Sequence, residues 1–296
     1  MSIFTTRRSI TPIVKAIRQH ATKVQLNATW SRLHSDYGIG TKFGSSSLAL
    51  SEGDLHTLRV MLQRDAGIDA LHQSLGELEG DRIDTAKKSR NEKLARLRPA
   101  DRVVMVASLS GQLELASGIY RHPIGGSMNV PAEELHGSER VLLVENLAVM
   151  FAIHEYRWPD EVKRLPMLFR GSPQNTAAAV TKALAGITDV ICFPDYDPQG
   201  WMNTLTIKAR GIVVPAMDTV ACIIAQERDK PQDYEKQHVA SDWLRRIDLP
   251  QVAYLLARRL AISQESLAGM GLEFIDLSLL TRSRNFEASV FRDSLR

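Results

Sequence analysis

At 296 residues, 44% hydrophobic and 24% charged, the chain is long enough for two ordinary domains or one large one, and it reads as a soluble globular protein. Its longest apolar runs, VLLV at 141–144 and GIVVPAM at 211–217, exclude a membrane-spanning helix, which needs roughly 18 residues. Net charge is +3, but residues 1–100 hold sixteen Lys and Arg against ten acidic residues, leaving −3 for the rest: a basic half suited to a polyanion joined to a mildly acidic one suited to gathering cations.

The opening MSIFTTRRSITP has basic residues with no apolar core behind them, so it does not read as a signal peptide. Residues 12–34 carry Ile13, Ile17, Val24 and Leu33 between basic positions, which predicts one helix. The Gly- and Ser-rich stretch 35–47 cannot continue it and reads as a loop. Ser51, with Asp54 three residues on, is placed to cap a helix whose apolar side is Leu55, Leu58, Val60, Met61 and Leu62. A second helix is expected over Asp69–Leu78, and the polar stretch 79–99 is either a third helix or a mobile basic segment. Short β-like pieces follow at 103–108, 113–121 and 128–135, separated by turns at Ser110-Gly111 and Gly125-Gly126. Helices followed by a small antiparallel sheet predict a winged-helix-like, α+β domain over residues 1–136, an arrangement that usually binds DNA and also serves protein contacts.

From residue 137 to 296 strand and helix alternate. RVLLVEN (140–146), LPMLFRG (165–171), DVICFPD (189–195) and GIVVPAM (211–217) are the expected strands. Between them, Pro173 and Asn175 lead into an Ala-rich helix at 176–186, and Pro198-Gln199-Gly200 opens another. Apolar strands joined by helices imply an α/β domain with a parallel sheet covered on both faces. The last 70 residues look helical.

Ligands of such sheets gather outside the carboxyl ends of the strands. Glu145 ends the first strand, and Asp195 and Asp197 end the third, two residues apart and therefore on one side of an extended segment. Carboxylates that cluster while ionised need a cation, and hard oxygen donors suit Mg²⁺ or Mn²⁺, an ion that could activate water for phosphodiester cleavage. Each feature alone has a plainer reading: Asp-x-Asp is common, and Glu at a strand end often only favours the next helix's dipole. Cys192 and Cys222 sit in apolar stretches, and the eight histidines form no Cys/His cluster, which argues against disulfides and zinc and for a reducing, cytoplasmic compartment.

VLLVEN followed some fifty residues later by CFPDYDPQGW resembles the Toprim domain. The string Asp-x-Asp-Pro-x-Gly with a VEN-type first motif is closer to the topoisomerase VI A-subunit and Spo11 branch, and closer still to the nuclease subunits of SMC-type plasmid-defence complexes (Wadjet JetD and MksG). The motif match covers roughly residues 139–217; before it only the layout matches, apart from a basic RNEKLA-like segment. The resemblance implies a metal-dependent DNA endonuclease with Glu145, Asp195 and Asp197 as Mg²⁺ ligands. ISQESL resembles a glutamine–glutamate pair of the same branch, making Glu265 a fourth acidic candidate.

Arg170 is either a phosphate contact or a solvated arginine. Gly171 marks either a close backbone approach or an ordinary turn. Lys87, Lys88, Arg90 and Lys93 are candidate DNA contacts. Asn146 reads as a cap for the next helix, and Gly200 as an allowance for tight strand–helix packing. The resemblance further implies a homodimer acting on double-stranded plasmid DNA beside an SMC-like ATPase and its kleisin.

Topoisomerase VI-like cleavage would need a tyrosine in an Arg-rich motif, and neither Tyr37 nor Tyr120 has that setting, so water is the expected nucleophile. A PD-(D/E)xK nuclease is disfavoured because Glu161-Val162-Lys163 lies upstream of Pro194-Asp195, in the wrong order. A HAD phosphatase would carry its Asp-x-Asp on the first strand. A nucleotide-sugar transferase leaves Glu145 and the basic half without a role. A non-catalytic DNA-binding scaffold stays open.

Overall fold

The computed structural model describes residues 3–4, 6–73, 75–171 and 177–278. The chain divides into two compact units, Met1–Pro99 and Ala100–Arg296. The division falls well before the expected boundary at 136/137, because the β pieces at 103–108 and 128–135 join the second unit's main sheet and the piece at 113–121 lies in the same unit.

In the first unit, helices α1 (Arg7–Arg18), α2 (Ala28–Tyr37) and α3 (Glu52–Ala66) accompany an antiparallel sheet of β1 (Lys23–Gln25), β2 (Thr41–Phe43) and β3 (Ser47–Ala49), ordered β1-β3-β2. The single helix expected over 12–34 is thus two helices with a strand between them. Helix α1 stops at Arg18, His20 turns the chain at φ +45°, and the Asn27 side chain caps α2 by accepting the Trp30 N–H at 3.1 Å. The expected loop at 35–47 contains β2 and the start of β3.

The cap on α3 is as read. Ser51 Oγ accepts the Asp54 N–H at 3.1 Å, and the Asp54 carboxylate accepts the Ser51 N–H at 2.8 Å. Ser51→Ala should therefore cost about 1 kcal/mol, read as a lower urea midpoint; an unchanged midpoint would discount the capping box.

Asp69–Leu78 is not a helix. The Asp69 carboxylate takes the Leu71 N–H at 3.1 Å and pairs with Arg59 at 2.9 Å and His72 at 2.8 Å, holding a turn instead. Only a 3-10 turn follows, at Leu75–Leu78. The 79–99 stretch contains a short α4 (Arg82–Ala86) and a 3-10 turn at Glu92–Leu94, and another, Pro99–Asp101, begins at its end.

The second unit is mixed α/β. Its seven-stranded sheet runs β12-β11-β10-β8-β9-β4-β7, from β4 (Val103–Ala107), β7 (Met128–Pro131), β8 (Arg140–Val144), β9 (Met167–Phe169), β10 (Asp189–Phe193), β11 (Gly211–Pro215) and β12 (Leu272–Asp276). The central four are parallel, as read; β4 and β12 add antiparallel strands on either side, and β7 pairs antiparallel with β4. The expected strand at 113–121 is instead a separate hairpin, β5 (Gln112–Leu115) with β6 (Gly118–Arg121).

Alternation along β8 explains its continuous apolar run. Leu142 and Val144 enter one core beside Trp158, Phe193 and Trp201, while Val141 and Leu143 enter a second beside Val180 and Cys192. Helix α6 (Ala177–Leu184) covers the second face; Pro173 and Asn175, expected to lead into it, lie outside the described residues. Helices α5 (Leu147–Phe151), α7 (Pro198–Thr206), α8 (Met217–Ala225), α10 (His238–Leu244) and α11 (Pro250–Arg258) contribute to the first core, with α9 (Pro231–Glu235) between α8 and α10 in the chain.

Up to residue 278 the tail is less helical than expected: α11 ends where Arg259 adopts φ +56°, and β12 follows as a strand, while the rest of the expected helical tail lies outside the described residues. Among the described residues no helix is long and apolar enough to cross a membrane.

Candidate functional site

The site lies where the chain reverses its direction of winding. From β8 it crosses to β9 on one side, then returns to β10 on the other, so the carboxyl ends of β8 and β10 flank the switch point. The register pairs Val144 with Phe193 across these parallel neighbours and Val144 with Phe169 on the other side. Glu145, Arg170 and the Asp195–Asp197 segment therefore leave the sheet at one edge, side by side.

Each residue has a definite setting. The Arg170 guanidinium pairs with the Glu145 carboxylate, and its main chain is anchored by donation to Val144 O at 2.8 Å. Gly171 follows at φ +114°, a conformation that side chains avoid, so a glycine is required there by the backbone itself. Asn146 caps α5 as read, accepting the Ala148 N–H at 2.9 Å, and its Nδ2 donates to Glu265 Oε1 at 2.6 Å. That bond brings Glu265, from the 3-10 turn Gln264–Leu267, to the end of β8.

Asp197 is the N-cap of α7, with Pro198 in the first turn. Its Oδ1 accepts the Gly200 N–H at 2.7 Å, and its Oδ2 accepts Gln237 Nε2 at 2.7 Å. Asp195 accepts the Gln264 N–H on Oδ1 at 2.8 Å. Burial pushes its carboxyl up from 3.8 to about 6; the Gln264 bond opposes this, and the charges of Glu145, Asp197 and Glu265 add to it. The charges of the other three acidic residues are thus felt at Asp195.

The donors are hard oxygens of the kind Mg²⁺ and Mn²⁺ take. Their charges reinforce one another at Asp195, so the chemistry of the set fits such an ion. Their present arrangement is not a closed cage. Among the described residues no three His, Cys, Asp or Glu side chains gather tightly enough to hold a metal. The reasons are visible: Arg170 serves as the counter-cation of Glu145, and Asp197 spends one oxygen on the helix cap and the other on Gln237.

The remaining expected contacts fall elsewhere. Lys87, Lys88, Arg90 and Lys93 are exposed residues of the first unit, where Lys87 lies 3.7 Å from Asp84 and Arg90 donates to Arg64 O at 3.2 Å. Tyr37 ends α2, and Tyr120 lies on β6, where its hydroxyl bonds Ser117 Oγ at 2.8 Å. Cys192 is buried, its thiol pushed up to about 12 by that burial, and Cys222 is exposed.

Gln237, which holds Asp197, is absent from the sequence reading, and Gln264, noted there only as the glutamine of the pair in ISQESL, touches both strand ends. Gln237 has no spacing signal that would have found it.

The comparison with curated proteins gave no match. The family model that matches begins just past the start of the second unit and spans every residue of the site described above. Residues 101–274, more than half of the chain, match the family described as "Domain of unknown function (DUF7281)", and the chain belongs to that family.

Proposed function

We propose that this chain is a metal-dependent DNA endonuclease of the Toprim type, hydrolysing phosphodiester bonds as the nuclease subunit of an SMC-type plasmid-defence complex. The observation that carries this reading is the parallel β8–β10 pair, whose Val144–Phe193 register sets Glu145 beside the Asp195–Asp197 segment at a topological switch point. The order β9-β8-β10-β11, with Glu ending the first of these strands in the chain and Asp-x-Asp ending the third, agrees with the resemblance carried by VLLVEN and CFPDYDPQGW.

Glu145, Asp195 and Asp197, with Glu265 beside them, would hold Mg²⁺ or Mn²⁺, which when bound supplies water activation and stabilisation of the leaving oxygen. Arg170 has the planar, permanently charged head that suits a phosphate oxygen, and it pairs with Glu145. In the first unit, the succession α1-β1-α2-β2-β3 with sheet order β1-β3-β2 supports a winged-helix-like reading of residues 7–49 and, with the net charge of +6 on residues 1–100, a DNA-binding role.

A second reading is favoured by one observation. The Glu145–Arg170 pair and the fully engaged Asp197 would equally suit a scaffold that binds DNA without cutting it. Incubation of the full chain with supercoiled plasmid in Mg²⁺, Mn²⁺ or EDTA separates the two. Nicking or linearisation that requires metal, leaves free ends and disappears in Asp195→Ala is expected. Salt-sensitive DNA binding without cleavage, equal in both proteins and unchanged when the SMC-type partners are added, would support the scaffold and sink the nuclease. Ends that stay attached to protein would point to a tyrosine.

A further inference from the structure

The segment 262–265 straps the two strand ends together. Ile262 and Tyr196 exchange main-chain hydrogen bonds of 2.8 and 3.1 Å, which brings the strap against the Asp195–Asp197 turn. The next side chain but one, Gln264, is fully buried. Beyond the Val144–Phe193 pair, β8 and β10 share only one further main-chain bond, from Glu145 N to Phe193 O at 3.3 Å. Past it the Gln264 amide bridges the strands: its Oε1 accepts the Asn146 N–H at 2.8 Å, and its Nε2 donates to Phe193 O.

A primary amide offers the same donor and acceptor as a peptide group, so this side chain adds one rung to a ladder whose strands are parting. Its main chain is engaged too. The N–H holds Asp195 Oδ1 at 2.8 Å, and the carbonyl accepts Tyr156 Oη at 3.2 Å. Filling space alone would be done better by an apolar residue, since a buried amide is costly unless its bonds are all made. Here the amide oxygen and nitrogen are both bonded, and both bonds lead to the ends of β8 and β10.

We propose that Gln264 is a positioning residue: its amide sets the splay between β8 and β10, and with it the separation of Glu145 from Asp195, while its N–H orients the Asp195 carboxylate. This rests on the nuclease reading and specifies which residue makes the acidic set able to bind an ion. Residues that orient metal ligands without touching the metal typically change affinity by roughly tenfold to a hundredfold.

The test uses the full chain titrated with Mn²⁺ alone, followed by electron paramagnetic resonance, in the wild type and in Gln264→Met, which keeps the length and removes both hydrogen-bonding groups. The Mn²⁺ dissociation constant should rise by roughly tenfold or more. In plasmid cleavage kcat should fall while KM for DNA stays unchanged. A folded Gln264→Met protein that binds Mn²⁺ within about twofold of the wild type would overturn the proposal. A wild type that binds no Mn²⁺ removes the nuclease reading first, and the positioning role with it. If Gln264→Met does not fold, hydrogen exchange of the wild type decides. The Asn146 amide, although past the end of β8, should be protected like the strand's own amides; exchange at the rate of an open loop would overturn the role.

Discussion

Gly200→Ala should be among the most damaging single-methyl changes in this chain, costing about 3 kcal/mol and removing cleavage with it. A Cβ at this position would lie 2.3 Å from the Asp195 carbonyl oxygen and 2.9 Å from Pro194 Cβ. Neither neighbour is the free end of a flexible side chain, so the clash can be relieved only by moving the first turn of α7 away from the end of β10. That movement breaks the Gly200 N–H bond to Asp197 Oδ1 and displaces Asp197 from its cap.

The string Asp-x-Asp-Pro-x-Gly is thereby explained as one turn. Asp195 turns toward the strap, Asp197 caps, Pro198 starts the helix, and Gly200 lets the helix pass over the Asp195 carbonyl. Urea unfolding of Gly200→Ala beside the wild type is the check, and a shared midpoint would show that the turn tolerates the methyl.

The parts that could be read from sequence are those with a strong local cause. The four parallel strands are continuous apolar runs because β8, β9 and their neighbours are buried on both faces, and their carboxyl ends are therefore marked by the first polar residues, Glu145 and Asp195. The caps at Ser51 and Asn146 were legible because a short polar side chain before a helix has one common use, whereas the cap at Asp197 was hidden by its reading as a metal ligand.

Strands of three residues, such as β1, β2 and β3, are too short to display a period of two. Alternation along β4 and β7 is the same whether they form a wing or extend the edge of a larger sheet, so the pairing of β4 with β9 could not be inferred from them. Gln264 and Gln237 act through contacts 118 and 40 residues away in sequence, with Asn146 and Asp197 respectively, and an amide carries no charge to betray its use. Arg170 read as either a phosphate contact or a solvated arginine, and its pairing with Glu145 depends on the alignment of β9 with β8.

Asp195→Asn should stabilise the metal-free protein, and the gain should depend on pH in a direction that follows from the site. The Asp195 carboxyl has an ordinary value of 3.8 and is raised to about 6 in the fold, first by burial and then by the charges of Glu145, Asp197 and Glu265. Between these values the folded chain holds a proton that the unfolded chain has released. Stability contributed by this group is therefore complete below about pH 4, falls as pH rises through 6, and stays lost above it. The gap amounts to roughly 3 kcal/mol for a fully shielded group, and partial exposure to solvent reduces it to about 1–2 kcal/mol.

Asparagine keeps the acceptor for the Gln264 N–H and never ionises, so the variant should match the wild type at pH 4 and exceed it at pH 7.5. Mg²⁺ supplies the opposite charge and should raise the wild-type melting temperature increasingly between pH 5 and 7.5, with little effect on Asp195→Asn. A wild type whose metal-free stability does not fall across this range would show that Asp195 ionises normally. A pH-dependent loss with no recovery in Mg²⁺ would leave the acidic cluster real but remove the metal from it.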